Sequence, residues 1–199
     1  MNATMIGRPV ERARTIRVWD PVVRLFHWTI VAGFLANMTL TEDGGDAHEV
    51  IGYIVLAAIA VRLLWGFIGT RHARYRDFVP GPARLFGYLG QMLRGTEPRY
   101  VGHNPAAAVM MLALLALMVF IGATGWMMTL DPWWGEEWLE VMHETAANAM
   151  LVLAGVHVLA AVLASFRHRE NLVLAMITGR KRAASGTDVD HAAAADRGQ

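Results

Sequence analysis

The residues that bear most on chemistry in this 199-residue chain are its eight histidines, set in a sequence with no cysteine. Without thiols there are no disulfides, no thiolate metal sites and no C-x-x-C-H attachment of a c-type haem, so any haem would have to be held non-covalently. Four histidines, His27, His48, His143 and His157, stand in or at the ends of long apolar stretches. An ionisable group in such a place is costly and marks a functional position. A lone membrane histidine is more often a packing residue, so the weight falls on how the four are spaced. His143 and His157 are 14 residues apart. At about 100° per residue this is within about 40° of four whole turns, with a rise of about 21 Å, so the two share a helix face at two depths. A dinuclear metal site needs its ligands at one depth, usually with carboxylates, and this spacing does not allow it.

The elements that must position these side chains are apolar helices. Hydrophobic residues make up 55% of the chain and mean hydropathy is +0.33, too greasy for an ordinary soluble domain. Four stretches, 22–41, 47–69, 105–128 and 138–166, are each long enough to span a hydrocarbon core of about 20 helical residues. Asp20-Pro21 and Asn104-Pro105 mark the starts of the first and third, each pairing a capping side chain with a proline at the first helical position. The first run is long for a signal-peptide core and no small-residue cleavage site follows it, so it reads as a retained span.

All eighteen Lys and Arg fall in the N-terminal stretch as far as Arg24, between Arg62 and Arg99, or from Arg167 onward. By the positive-inside rule both termini are cytoplasmic. The opposite face carries Glu42, Asp43, Asp46, Glu49, Asp131, Glu136, Glu137, Glu140 and Glu144 and no Lys or Arg. Trp19, Trp28 and Trp65 lie near the inner boundary and Trp126, Trp133, Trp134 and Trp138 near the outer one, as in an aromatic belt. Between the second and third spans, residues 82–94 repeat apolar side chains at helical spacing and are expected to lie along the inner membrane surface. The fold class expected is all-α: a four-helix transmembrane bundle with a cytoplasmic interfacial helix. Its expected parts are a cytoplasmic arm (1–18), the membrane domain (19–169), a short cytoplasmic helix (170–182) and a disordered tail (183–199).

Topology then pairs the histidines. His27 lies about 10 Å beyond the Asp20 cap and His157 about 15 Å inside Arg167, both counted from the cytoplasmic side. His48 opens the second span at the outer surface, and His143 is in the first turns of the fourth on that same surface. Two pairs at matched depth, each drawn from different helices, suit two haem irons with one neutral imidazole nitrogen on each side. Arg62 is 14 residues from His48 and so lies on the same face near the inner pair. It is a candidate for a haem propionate, with snorkelling to the interface as the alternative. His103, just before the Asn104-Pro105 cap, is a candidate for an inner propionate or a quinone, though a surface histidine beside a cap is an equal reading. His72, His168 and His191 fall in basic segments and read as solvated. Gly52, Gly122 and Gly125 could admit a flat macrocycle, with close helix packing as the default.

The segments Trp19–Trp28 (WDPVVRLFHW), His48–Tyr53 (HEVIGY) with Arg62–Trp65 (RLLW), Arg99–Pro105 (RYVGHNP), the His143 and His157 pair, and Ala175–Arg182 (AMITGRKR) resemble the bacterial cytochrome b561 family. That group includes the cytochrome b subunits of nickel-iron hydrogenases. The resemblance covers about residues 17–182 and rests on the order and spacing of the pieces. It implies a four-helix bundle with two b haems ligated from the first, second and fourth helices, and electron exchange with a quinone pool. Residue by residue, it places the ligands at His27, His48, His143 and His157.

The function expected is therefore electron transfer across a bacterial inner membrane between a periplasmic redox partner, such as a dehydrogenase or hydrogenase subunit or a c-type cytochrome, and quinone. On this reading the chain is an electron-transfer subunit more than an independent enzyme, with lipid around it and no nucleic-acid partner. A stand-alone superoxide:quinone oxidoreductase is the first alternative. It is disfavoured because an anionic substrate would meet nine carboxylates and no cation on the outer face. A cofactor-free transporter or assembly factor is the second, and the absence of b-type absorption bands would select it.

Overall fold

The computed structural model describes residues 14–41 and 44–191. Four helices are long and apolar enough to cross a membrane. They are α1 (Pro21–Thr39), α2 (Asp46–Ile68), α5 (Pro105–Met128) and α6 (Glu137–His168), every end within two residues of the range expected from sequence. Asp20 Oδ1 accepts from Val23 N at 2.9 Å and Asn104 Oδ1 from Ala107 N at 2.8 Å, so both capping prolines sit where the sequence put them. Thr39 ends α1, with Leu40 N closing the last turn on Ala36 O.

The bundle is held by a thin apolar seam. Val55 and Ile59 of α2, Leu115, Met118 and Ile121 of α5, and Ala146 and Met150 of α6 form the buried cluster, with Phe26, Ile30 and Phe34 of α1 packed against it. The outward faces stay apolar, with Leu64, Phe67, Val152 and Leu159 exposed. This is the pattern expected where the solvent is hydrocarbon and every backbone polar group is satisfied within its own helix.

One end of the bundle carries α3 (Tyr75–Phe78), α4 (Pro82–Arg94), α7 (Leu172–Thr178) and a two-stranded antiparallel ribbon of β1 (Thr15–Arg17) and β2 (Arg180–Arg182), while a 3-10 turn, Asp131–Trp133, joins α5 to α6 at the other. Helix α4 covers the 82–94 segment, packs on α5, buries Tyr88 edge-on to Tyr100, and leaves Phe86 and Leu93 exposed. The ribbon was not legible in the sequence, because three-residue strands rich in arginine carry no period-2 apolar signal.

The tail also departs from expectation. Residues 183–191 are not free of structure: Val189 N donates to Arg99 O at 2.8 Å and Val101 N donates to Val189 O at 3.0 Å. Beneath this strand-like contact lies a buried ionic knot. Arg99 pairs with Glu170 at 2.6 Å and Asp188 at 2.7 Å, and Lys181 pairs with Glu170 at 3.3 Å. Composition correctly found no apolar periodicity here, but order came from charges answering charges far along the chain. Residues 1–13 of the expected arm, 192–199 of the expected tail, and Glu42 and Asp43 lie outside the described residues.

Candidate cofactor sites

At one end of the bundle, where α1 hands over to α2 and α5 to α6, the His48 and His143 rings lie 6.1 Å apart, centroid to centroid, inclined at 58°. Each ring is fixed by its Nδ1. His48 Nδ1 lies 2.8 Å from the carbonyl of Thr41, an atom that can only accept, so Nδ1 carries the proton. Asn37 and Thr41 complete the support: Asn37 Nδ2 donates to His48 O at 3.1 Å, and Thr41 Oγ1 donates to Asn37 Oδ1 at 3.0 Å. His143 Nδ1 lies 3.0 Å from Thr124 Oγ1. The single hydroxyl proton of Thr124 points back along α5 to Phe120 O and Ile121 O, both at 3.0 Å, so toward the ring the oxygen accepts and Nδ1 again carries the proton. In both histidines Nε2 keeps its lone pair. Two imidazoles on one iron, with bonds of about 2.0 Å to each nitrogen, have ring centroids about 6 Å apart. The spacing and the tautomers therefore fit a bis-histidine iron, and hydrogen bonds of this kind are the usual means of orienting a metal-binding imidazole.

Gly125 serves the same ring. A Cβ there would stand 3.1 Å from His143 Cε1, so glycine lets the imidazole lie close along α5. Gly122 instead receives Leu56, and Gly52 faces open space. Thr124 went unnoticed in the sequence although a signal was present: it is the one hydroxyl in the α5 span.

Toward the other end of the bundle, His27 on α1 and His157 on α6 lie within electrostatic range of each other. His27 Nδ1 is buried with no hydrogen-bond partner, and Trp28 packs edge-on to the ring at 5.0 Å. A buried nitrogen left unsatisfied costs about 1–3 kcal/mol. A group beyond the chain's own atoms is the natural completion.

Arg62 is 2% exposed, which excludes snorkelling. Its Nη2 donates to Ala73 O at 3.3 Å, and the guanidinium stands over the Tyr75 ring at 5.0 Å. Gly66 gives that ring its place, since a Cβ there would collide with it. Arg62 Nη1 has no partner, a buried charged donor available to an anionic group such as a propionate. The nearby Asp20 holds the helix ends together, accepting from Trp65 Nε1 at 3.0 Å and Thr70 Oγ1 at 2.5 Å as well as from Val23. Burial raises its pKa, but these hydrogen bonds outweigh burial and hold the carboxyl below its usual range.

His103 is not a surface histidine. Its ring packs between Trp19 and Phe78, each 4.7 Å away, and Nδ1 is buried without a partner. Burial, followed by the positive charges of Arg62 and Lys181, pushes its pKa down to about 3, so the ring is neutral. His72 is likewise not solvated, with its side chain 12% exposed and Nε2 3.3 Å from Asp190. His191 packs against Tyr100 with ring centroids 5.2 Å apart and tilted by 50°, and keeps a buried Nε2 without a hydrogen-bond partner.

These features define a class: a four-helix bundle of membrane-spanning length, with histidines on its first, second and last long helices. Comparison with known proteins makes the class specific. The family model described as "Prokaryotic cytochrome b561" matches residues 18–179, and the chain belongs to that family. Similar proteins named "Probable Ni/Fe-hydrogenase B-type cytochrome subunit" occur in Bradyrhizobium diazoefficiens (27% identical over 89% of this chain and 88% of the relative), Rhodobacter capsulatus (26%, over 86% and 83%) and Cupriavidus necator (27%, over 81% and 85%). No solved structure gives a significant match. A cytochrome of the b type carries haem b, held without covalent attachment, and the cysteine-free chain agrees with this.

Proposed function

We propose that this chain is the di-haem membrane subunit of a respiratory complex in a bacterial inner membrane, passing electrons between a periplasmic redox partner and the quinone pool. The relatives' names point to a hydrogenase as the kind of partner. His48 and His143 would hold the outer haem, and His27 and His157 the inner one. Arg62 would bind an inner propionate through its unpartnered Nη1, and His103 would meet an inner propionate or the quinone. Bound there, the haems supply one-electron redox chemistry at two depths. The chain's own residues do the rest. Thr41 and Thr124 hold the outer imidazoles with Nε2 free, the apolar seam excludes water between the two sites, and Arg62 supplies a fixed positive charge.

The observation that carries this reading is the 6.1 Å spacing of His48 and His143, with both Nδ1 atoms already committed. Its test is the haem content of the purified protein with single substitutions. Two haem b per chain are expected, both extractable by acid acetone. His48→Ala and His143→Ala should remove the same spectral component, and His27→Ala and His157→Ala the other. Loss of one common component from His27→Ala and His48→Ala would overturn the pairing, and a protein without b-type bands would overturn the whole reading.

A further inference from the structure

Beside His103 lies a small cavity of about 10 Å³, room for the centre of one water molecule. It is lined by His72, Tyr100, His103, Asp190 and His191 among others. Phe78 and Val189 contribute apolar wall, while among the polar lining residues His103 Nδ1 and His191 Nε2 are buried without hydrogen-bond partners. A buried water makes about three hydrogen bonds to groups that would otherwise go unsatisfied, and these two nitrogens are such groups. Among the lining groups, His72 Nε2 and Asp190 Oδ1 are joined at 3.3 Å, with their side chains 12% and 14% exposed. That leaves each in limited reach of the aqueous phase. The tail that supplies Asp190 and His191 is held over the cavity by the Val189 hydrogen bonds and the Arg99–Asp188 pair.

We propose that this cavity is an ordered-water site in a proton route that runs from Asp190 and His72, by way of the water and His191, to His103. The inference rests on the quinone reading above. Reducing a quinone to a quinol takes two electrons and two protons and forms two O–H bonds. The electrons come from the periplasmic partner through the haems, and the protons must come from water on the side where the quinone is reduced. In quinol oxidation the same route runs in reverse. His103 is a neutral ring enclosed by Trp19 and Phe78, able to take a proton at one nitrogen while giving one up from the other. The groups whose charge acts on the route are Arg62, Lys181, His72 and His157 on His103, Arg71, Lys181 and Asp190 on His72, and Arg84 and Asp190 on His191. Burial first, and the predominance of cations after it, disfavour a second proton on these rings, and transfer depends on the Asp190 carboxylate to attract one.

The experiment compares two oxidants of the pre-reduced holoprotein in stopped flow: a water-soluble quinone, which needs protons, and ferricyanide, which does not. Asp190→Asn should slow oxidation by quinone on the order of 10- to 100-fold, the size of a lost acid–base group. Haem content, haem spectra and oxidation by ferricyanide should stay as in the wild type. Acetic acid, a small diffusible proton donor, should restore much of the rate, and Asp190→Glu should regain it. Wild-type quinone kinetics in Asp190→Asn, or equal slowing with both oxidants, would overturn the route, the second result marking Asp190 as a structural tether. If quinone fails to oxidise even the wild type while ferricyanide succeeds, the quinone reading falls and takes the route with it.

Discussion

At the scale of single residues, the proposed site at His48 and His143 shows how much support lies outside the two candidate ligands. Thr124 would not itself hold the haem, yet by accepting from His143 Nδ1 it decides which nitrogen is free. Thr124→Val keeps the shape of the side chain and removes the oxygen. We expect the variant to fold and to bind both haems, with retention of the outer haem weakened about 10- to 100-fold, the usual cost of a lost partner behind a metal ligand. Haem transfer to apomyoglobin measures this, and an unchanged rate of outer-haem loss would show that His143 needs no such support. Arg62 makes the complementary case. It is a buried cation that keeps one donor unused, and such a charge is retained where an anion meets it. Arg62→Met should lower the midpoint potential of the inner haem and leave the outer one unmoved, because a positive charge favours the reduced form. Redox titration followed in the α-band separates the two components.

At the scale of elements, the clasp at one end of the bundle joins segments that are remote in sequence. Arg99 precedes α5, Glu170 follows α6, Lys181 sits in β2, and Asp188 belongs to the returning tail. The Arg99 and Lys181 side chains are each 4% exposed. Removing one member of a buried network leaves its partners charged and unpaired, at a cost of about 3–5 kcal/mol. Arg99→Met is therefore expected to lower the thermal unfolding temperature in detergent, read by far-ultraviolet circular dichroism, while the haem spectra of the folded fraction stay unchanged. The network also has a pH signature. Burial raises the pKa of Glu170 and of Asp188, but Glu170 is held low overall by Arg99 and Lys181, and Asp188 by Ser185 and Arg99, against ordinary values of 4.5 and 3.8. A carboxylate with a lowered folded-state pKa contributes stability that is complete above its unfolded value and lost as pH falls through the folded one. The wild type should accordingly lose stability below about pH 4.5. In Arg99→Met this acid-side slope should flatten, and an unchanged slope would show that the carboxylates owe their shift to other groups.

At the scale of the whole molecule, charge is sorted between the two ends. Glu136, Glu137 and Glu140 are exposed around the start of α6, beside exposed Trp133 and Trp134, and no Lys or Arg accompanies them. Asp and Glu contribute little to membrane orientation, so the carboxylates call for another reason, and docking of a basic partner supplies one. Replacing all three with Gln should slow electron exchange with the partner and flatten its salt dependence, since the Debye length falls from about 10 Å at 0.1 M to about 3 Å at 1 M. An unaltered salt slope would reduce the patch to solvated surface. The sequence by itself determined the four spans, their capped starts and the histidine positions, because a hydrocarbon solvent demands long apolar helices and penalises every polar exception within them. The separation of His143 and His157 followed from helical rise alone, since both lie on α6. Tertiary structure alone decided what meets those residues: that Arg62 is buried, that His103 and His72 are enclosed, that Thr124 faces His143, and that the tail returns to Arg99. Each of these depends on one segment meeting another far away in the chain. Periodicity reports which face of a helix is apolar, but the pairing of a charge or a hydroxyl with its partner is fixed only when the bundle closes.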